Sequence, residues 1–252
     1  MLELNKIHFG DCLELMPQID SGMVDMVLCD LPYGKTQNPW DSIIDLDRLW
    51  EQYDRVKKPD AAILLFGQDK FSATLMLHRK DIHRYNWIWE KDRSTGFLNA
   101  NDMPLRCHED IMVFYDKLPT YNPQKHKGKP QHGRGKNFKT AKKTSNYGDF
   151  HQLAGGEGNT DKMPRSVLYF PKPWPGIHPT QKPTDLYRYL IKTYTDEGAL
   201  ILDNCSGSGT IAEACVKEKR NFIAIENDMV EFEKSVMRYG KILAKPELSF
   251  DE

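Results

Sequence analysis

The stretch Val24-Asp25-Met26-Val27-Leu28-Cys29-Asp30-Leu31-Pro32-Tyr33 decides the fold. Its first six residues form an apolar run that predicts a short buried strand. The last four then lie at the carboxyl end of that strand, where open α/β sheets place their ligand crevices. Asp30 offers carboxylate acceptors, Pro32 a carbonyl and Tyr33 an aromatic face. These groups suit a planar ligand with an amino group, such as a nucleobase, although a plain turn after a strand fits the same four residues.

The rest of the 252-residue chain alternates apolar runs with segments of helical spacing. Residues 61–66 and 199–202 predict further buried strands, because each is a short continuous apolar run. Residues 46–56 carry apolar side chains at helical spacing and predict a helix. A second helix is predicted over residues 184–194, after the segment 178–183. This alternation predicts an α/β fold, with a mostly parallel, Rossmann-like sheet that has helices on both faces.

The charge of the chain is unevenly distributed. The net charge is only -1, but residues 117–147 carry nine Lys or Arg and no Asp or Glu. The remainder holds 26 basic and 36 acidic residues, a net of -10. This basic segment lacks sustained periodicity and predicts a loop-rich insertion that extends to about residue 165. An acidic body with one basic segment favours a contact with nucleic acid.

The five cysteines show no Cys-x-x-Cys pair. We therefore expect reduced thiols, with neither a disulfide framework nor a zinc site, as in a cytoplasmic protein. The first residues lack the apolar core of a signal peptide. No apolar run approaches the roughly 20 residues that cross a bilayer, so no membrane partner is expected.

A second constellation predicts a nucleoside-binding loop near the C-terminus. A strand over 199–202 leads into Asp203-Asn204-Cys205-Ser206-Gly207-Ser208-Gly209-Thr210, then a helix and a further strand that ends at Glu226. Glycine lets the backbone approach a ligand closely. Glu226 lies 19 residues after Gly207, near the roughly 20-residue spacing of an acid that binds ribose hydroxyls. Ala212 is an allowed third position of a dinucleotide motif, so a nicotinamide dehydrogenase stays an alternative.

Together these stretches resemble the amino-methyltransferases of DNA, over nearly the whole chain apart from the basic insertion. Asp30-Leu31-Pro32-Tyr33 is similar to the family's catalytic motif, with Leu31 in place of the usual first proline. The stretch 203–210 resembles its S-adenosylmethionine loop, from which Asn204 and Cys205 depart. His178-Pro179-Thr180-Gln181-Lys182-Pro183 resembles the segment at the methionine end of the cofactor. Gly10-Asp11-Cys12 resembles the segment at its adenine side.

The order of the motifs resembles the β group of these enzymes, a circular rearrangement of the methyltransferase fold. The resemblance implies a catalytic half over residues 1–116, a target-recognition insertion over 117–165 and a cofactor-binding half over 166–252. In the family the insertion recognises the target sequence, which this sequence itself does not specify.

The reaction implied by the resemblance moves a methyl group from S-adenosyl-L-methionine to the exocyclic amino group of a base flipped out of duplex DNA. Adenine is favoured because, in the family, Asp at the first catalytic position goes mostly with adenine and Ser mostly with cytosine. The catalytic residues would be Asp30, Pro32 and Tyr33, without a metal. The residues expected to bind the cofactor are Asp11, Cys12, Asp30, His178, Thr180, Lys182, Asp203, Asn204, Cys205, Ser206, Gly207, Gly209, Thr210, Glu226 and Asn227.

Double-stranded DNA is the expected partner, and the basic side chains of the insertion are the expected phosphate contacts: Lys125, Lys127, Lys129, Arg134, Lys136, Lys139, Lys142 and Lys143. The same chemistry on cytosine and a catalytically inactive DNA-binding relative are the alternatives. The family implies a bacterial or phage-infected cytoplasm. It leaves a homodimer and a cognate restriction enzyme open.

Overall fold

The computed structural model describes residues 2–34, 44–130, 160–173 and 181–244. The strands in these ranges are β1 (Lys6–Phe9), β2 (Val24–Cys29), β3 (Lys57–Gly67), β4 (His83–Thr95), β5 (Arg106–Phe114), β6 (His126–Lys127), β7 (Asp161–Lys162), β8 (Val167–Tyr169), β9 (Leu200–Asp203) and β10 (Asn221–Glu226). The helices are α1 (Cys12–Leu15), α2 (Leu46–Val56), α3 (Lys70–His78), α4 (Thr184–Tyr194), α5 (Thr210–Lys217) and α6 (Met229–Leu243).

The chain divides into two compact units, one of Met1–Asn122 with Ser166–Glu252 and one of Pro123–Arg165. In the described part of the larger unit, eight strands form one sheet in the order β1-β10-β9-β2-β3-β5-β4-β8. Strands β1, β10, β9, β2 and β3 run parallel, and β4 pairs in parallel with β8. The predicted α/β fold with a mostly parallel sheet is confirmed.

One end of the sheet departs from the predicted parallel order. Strand β5 runs antiparallel to both β3 and β4. Strands β4 and β5 also extend beyond their most hydrophobic segments, residues 85–90 and 110–115, because their ladder continues to the pair Thr95 and Arg106. The extension is largely polar and half-exposed, so its sequence lacks the hydrophobic pattern of a strand.

Alternate residues of the central strands fill two hydrophobic cores on opposite faces of the sheet. Val27 and Cys29 of β2 belong to one core, which the apolar sides of α1, α2 and α3 cover. Met26 and Leu28 belong to the other, which α4 and α5 cover. Because β2 is buried on both faces, its sequence is a nearly continuous apolar run.

Short polar residues fix where several helices begin. The Asp45 carboxylate accepts a hydrogen bond from the backbone N–H of Arg48 at 3.2 Å, which caps α2. Asp228 caps α6 in the same way, accepting from Val230 and Glu231. The predicted helices at residues 46–56 and 184–194 match α2 and α4.

The smaller unit contains an antiparallel pair, β6 with β7. Lys125, Lys127 and Lys129 are exposed there, and Lys127 forms an ion pair with Asp161 at 2.5 Å. Five further predicted DNA contacts lie outside the described residues: Arg134, Lys136, Lys139, Lys142 and Lys143. The assignment of residues 117–165 to target recognition stays a prediction.

Within the described residues, every helix is too short or too polar to span a lipid bilayer. All five cysteines fall within these ranges, and each is a free thiol.

Candidate active site

The parallel strands bring the predicted motifs together at one edge of the sheet. Val27 of β2 pairs with Leu202 of β9, and Asp203 pairs with Ala224 of β10. The tetrapeptide that is predicted to be catalytic and the glycine loop therefore leave neighbouring strands at the same level of the sheet. From β2 the chain crosses through α2 to β3, whereas from β9 it crosses through α5 to β10 on the other side. This reversal is a topological switch point, where α/β sheets bind ligands.

A cavity of about 660 Å³ lies at this switch point. Most of the site residues predicted from sequence line it: Asp11, Cys12, Asp30, Pro32, Tyr33, Lys182, Asn204, Cys205, Ser206, Gly207, Thr210, Glu226 and Asn227. Asp203 and Gly209 do not line the cavity, but both belong to the loop that does. His178 and Thr180 lie outside the described residues.

The tetrapeptide after β2 is internally braced. The Tyr33 hydroxyl donates a hydrogen bond to Asp30 Oδ1 at 2.8 Å. The Tyr33 ring packs on Phe71 of α3, with ring centres 4.9 Å apart and planes 32° from parallel. One loop turn thus fixes both the orientation of the Asp30 carboxylate and the plane of the Tyr33 ring.

Asp30 also belongs to a buried array of alternating charges. The Lys182 ammonium contacts Asp30 Oδ2 and lies 3.3 Å from Glu109 Oε2. Glu109 Oε1 in turn lies 2.5 Å from the ammonium of Lys91. The two lysines and two carboxylates balance in charge, and both lysine side chains are almost fully buried. Each charge in this array therefore has an opposite neighbour, as burial requires.

The array shifts the titration of its members. Burial raises the pKa of Asp30, and the Lys182 ammonium acts in the opposite direction. Burial alone would lower the pKa of Lys182, but Asp30 and Glu109 together raise it above its ordinary value. Burial likewise opposes the charge of Glu109, yet Lys182 and Lys91 outweigh it and lower the pKa of Glu109. Lys182 is consequently held as an ammonium beside Asp30.

The loop after β9 is held by contacts at its first two positions. Asp203 is buried and accepts a hydrogen bond from the Cys205 backbone N–H at 3.2 Å. Burial raises the pKa of Asp203 to about 7. The Asn204 carbonyl oxygen accepts a hydrogen bond of 2.5 Å from the Tyr53 hydroxyl of α2. Asn204 departs from the family pattern, and this hydrogen bond connects it to α2, the helix that follows β2.

The glycines of this loop and Glu226 form a second wall of the cavity. Gly207 N–H donates to Glu226 Oε2 at 2.7 Å, and Asp228 N–H donates to Oε1 at 2.8 Å. Burial raises the pKa of Glu226. Gly209 has φ +71°, and a Cβ there would lie 3.0 Å from the Ser235 side chain of α6. Glycine at this position therefore allows both the positive φ and the close approach of α6.

Sequence reasoning missed Lys91, Glu109 and Tyr53. Lys91 and Glu109 lie on β4 and β5, where the only local signal is a charged residue beside a buried aromatic or apolar run. Tyr53 occupies an apolar position of α2, so its spacing predicted core packing. Among the residues that the structure describes, no group of three or more His, Cys, Asp or Glu is placed to hold a metal ion.

One family model and several known proteins match this chain. The model of a family described as DNA methylase, N6_N4_Mtase, matches residues 24–237. The Type II methyltransferase M1.MboII of Moraxella bovis is 23% identical over 258 residues, which cover 90% of this chain and 93% of that protein.

Two solved structures share the fold. The M1.HpyAVI-SAM complex superposes with a TM-score of 0.61 at 20% identity, covering 92% of this chain and 98% of that one. The cytosine-N4-specific PvuII DNA methyltransferase gives a TM-score of 0.69 at 13% identity, covering 94% of this chain and 89% of that one. At these identities the superpositions establish the architecture alone.

Proposed function

This chain belongs to the N6/N4 DNA methylase family, and we propose that it methylates the exocyclic amino group of an adenine flipped out of duplex DNA. The observation that carries the proposal is the braced Asp30 carboxylate, which lies in one cavity with the glycine loop and Glu226. An acceptor for an amino group and a nucleoside-binding wall thus share one space at the switch point.

S-adenosyl-L-methionine is the methyl donor, and the residues of the cavity fit it. The Ser206 hydroxyl is buried without a hydrogen-bond partner in the described structure, so a polar ligand would satisfy it. Glu226 is oriented by two backbone N–H groups and keeps lone pairs for ribose hydroxyls. When bound, this molecule supplies a methyl group on a positively charged sulfur. Asp11, Asn204 and Asn227 add polar groups to the same walls.

Asp30 and Pro32 would act on the amino nitrogen of the base. That nitrogen is a weak nucleophile because its lone pair is delocalised into the ring. Hydrogen bonds from the amino group to the Asp30 carboxylate and the Pro32 carbonyl would localise the lone pair as the nitrogen becomes tetrahedral. Tyr33 and Lys182 fix the carboxylate in advance, so most of the gain falls in the transition state.

A proton must also leave the nitrogen after the methyl group arrives. The methylated amino group is positively charged, and its proton would pass to the Asp30 carboxylate, the ionisable acceptor of the tetrapeptide, and from there to solvent. The raised pKa of Asp30, caused by burial, suits a carboxylate that accepts a proton transiently. Lys182 stays protonated beside it and keeps the carboxylate in place between turnovers.

Cytosine is the competing base. The family includes N6 and N4 enzymes, and the same acceptors would serve either amino group. The aspartate of the tetrapeptide supports adenine, through the resemblance described above.

Contacts to the DNA backbone would come from the basic insertion. Its lysines suit phosphates, and its binding would weaken steeply with salt. Stacking on the Tyr33 ring would offset roughly 1–3 kcal/mol of the cost of flipping. A second copy of this chain and a restriction enzyme of the same site are further proposed partners, and light scattering of the purified chain tests the first.

The experiment that tests the function is methyl transfer from labelled S-adenosylmethionine to unmethylated genomic DNA, followed by digestion to nucleosides and identification of the labelled one by mass. Label in N6-methyladenine supports the proposal. Label in N4-methylcytosine keeps the mechanism and corrects the base. No label, despite measurable cofactor and DNA binding, would favour the inactive DNA-binding relative. Sequencing of the labelled fragments then gives the recognition site.

A further inference from the structure

The loop between β4 and β5, residues 96–105, exposes an unusual number of large apolar side chains. Phe97 is 75% exposed and Leu98 is 84% exposed. Met103 and Leu105 of the same loop are about half exposed. Single apolar residues scattered over a surface are ordinary, but four of them within ten residues mark an interaction surface.

The loop has a defined conformation. Gly96 adopts φ +90° and is followed by a single turn of 3₁₀ helix, Phe97–Asn99. Backbone hydrogen bonds of 3.0 Å run from the N–H of Asn99 to the carbonyl of Gly96, and from the N–H of Met103 to the carbonyl of Asn99. Phe97 and Leu98 therefore lie at the tip of an ordered turn, which holds them in solvent.

The topology places this tip beside the cavity. Strand β5 is antiparallel to both β3 and β4, so β4 runs in the same direction as β3 and β2. The loop after β4 consequently leaves the sheet at the edge where Asp30 follows β2. Thr95 and Arg106, the two residues that flank the loop, both line the cavity that contains Asp30.

Cationic side chains flank the apolar tip. Arg93 lies two residues before the end of β4. It forms an ion pair with Asp92 at 3.1 Å and donates hydrogen bonds to the backbone carbonyls of Lys172 and Pro173. Arg106 begins β5 and is 3.5 Å from Asp69. Each of these guanidinium groups is thus paired with a carboxylate, and the loop also carries the exposed Asp102. The feature that matches nucleic acid is therefore the apolar tip beside the cavity, which suits the faces of stacked bases.

We propose that the 96–105 loop inserts Phe97 and Leu98 into the base stack of duplex DNA, in the space that the flipped base leaves. This inference rests on the proposed function, because only an extruded base creates that space. Extrusion costs the stacking and pairing of the base. Proteins that distort DNA insert apolar side chains between base steps and partly unstack them. The loop would thus act on the extrusion step rather than on methyl transfer.

The test compares Phe97→Ala and Leu98→Ala with the wild-type chain on two duplexes that contain the mapped recognition site. One duplex is normal. The other carries a pyrene nucleotide opposite the target base, and the pyrene ring itself fills the space that the flipped base leaves, so that the loop is not needed there. We expect each variant to lose at least about tenfold in kcat/KM on the normal duplex, as for removal of one stacking side chain. The pyrene duplex should restore most of the rate. The matched control is Leu77→Ala, because Leu77 on α3 is 72% exposed, similar to Phe97 and somewhat less than Leu98.

The outcomes separate this inference from the proposed function. If the wild-type chain methylates DNA and both variants match it on the normal duplex, the loop does not insert. If the variants are equally slow on both duplexes, the loop acts elsewhere and the inference is also wrong. A failure of the proposed base is seen independently, as label in cytosine, and the same comparison then runs on that base. A wild-type chain that methylates no DNA is found earlier, when the recognition site is mapped, and that result overturns the proposed function and this inference with it.

Discussion

The ammonium of Lys182 contacts the carboxylate of Asp30, although 152 residues separate them in sequence. The contact joins the predicted catalytic tetrapeptide to the predicted cofactor segment that precedes α4. Because Lys182 also approaches Glu109, the carboxylate of Asp30 is held by a network rather than by one bond. We therefore expect the position of the Asp30 carboxylate to depend on Glu109 and Lys91, which reach it only through Lys182.

Replacement of Asp30 by alanine should abolish methyl transfer, with a loss of at least about 10²-fold in kcat, because a preorganised acceptor is removed. The affinity for S-adenosylmethionine should fall far less than the rate, since Ser206 and Glu226 remain even though Asp30 is also among the residues expected to bind the cofactor. Labelled methyl transfer and calorimetric titration of the cofactor measure the two effects. Asp20→Ala, an exposed carboxylate that precedes β2, should change neither. Retained activity in Asp30→Ala would remove Asp30 from the catalytic assignment.

Glu109→Gln should destabilise the protein by about 3 kcal/mol near neutral pH, because it breaks a buried ion-pair array from one side. The pKa of Glu109 is lowered in the folded state by Lys182 and Lys91, against the effect of burial. Its contribution is therefore present above its ordinary pKa and is lost as the pH falls through the lowered value. Denaturant unfolding of both proteins at several pH values measures the difference.

The matched control for this variant is Glu197→Gln. Glu197 lies 3.7 Å from Lys219, and both side chains are largely exposed, so the change should cost about 0.5 kcal/mol or less. If Glu109→Gln costs no more than this control at neutral pH, the array does not stabilise the fold. If the cost persists unchanged in acid, the charge of Glu109 is not its source.

Much of the fold could be predicted because periodicity and burial coincide. Strand β2 is apolar on both faces and is buried on both, and α2 has its apolar side chains at helical spacing. The direction of β5 could not be predicted in the same way, because a buried strand has the same pattern whichever way it runs. The polar end of β4 is a strand because it pairs with β5. Such pairing leaves no hydrophobic pattern in the local sequence.

The parts of the candidate site that could be predicted are those in which the interacting side chains lie within one short segment. Asp30 and Tyr33 are three residues apart and hydrogen-bond to each other. Glu109 was not predictable, because its pairing with Lys91 depends on the register of β4 and β5 across a ten-residue loop. Likewise Asn204 departs from the family pattern, and its partner Tyr53 is 151 residues away.

Tyr53→Phe should weaken binding of S-adenosylmethionine by about tenfold, because it leaves the Asn204 carbonyl oxygen without its donor in a buried loop. The expected loss of stability is about 1–2 kcal/mol. Tyr85→Phe is the control, since it removes a hydroxyl that contacts Tyr194 on another part of the sheet. That variant should lose stability without losing cofactor affinity. Equal cofactor affinities of Tyr53→Phe and the wild type would show that this hydrogen bond does not shape the loop.

Replacement of Lys142 and Lys143 by alanine together should weaken DNA binding and flatten its salt dependence by roughly two units of slope, one for each phosphate that is no longer neutralised by a lysine. Fluorescence anisotropy of a labelled duplex over a series of salt concentrations measures the slope. Lys219→Ala, which removes a lysine paired with Glu197, should leave the slope unchanged. An unchanged slope in the double variant would exclude these two lysines from the DNA interface.

Asp203→Asn should change how the stability of the cofactor-free protein depends on pH. Burial raises the pKa of Asp203 to about 7 in the folded chain, whereas the unfolded value is about 4. The folded state therefore binds the proton more tightly, and the stability that Asp203 contributes is complete below pH 4 and falls as the pH rises to 7. Relative to the wild type, the variant should gain a few kcal/mol between about pH 4 and pH 8. Denaturant unfolding across this range measures it, and parallel pH profiles for the two proteins would show that Asp203 titrates normally.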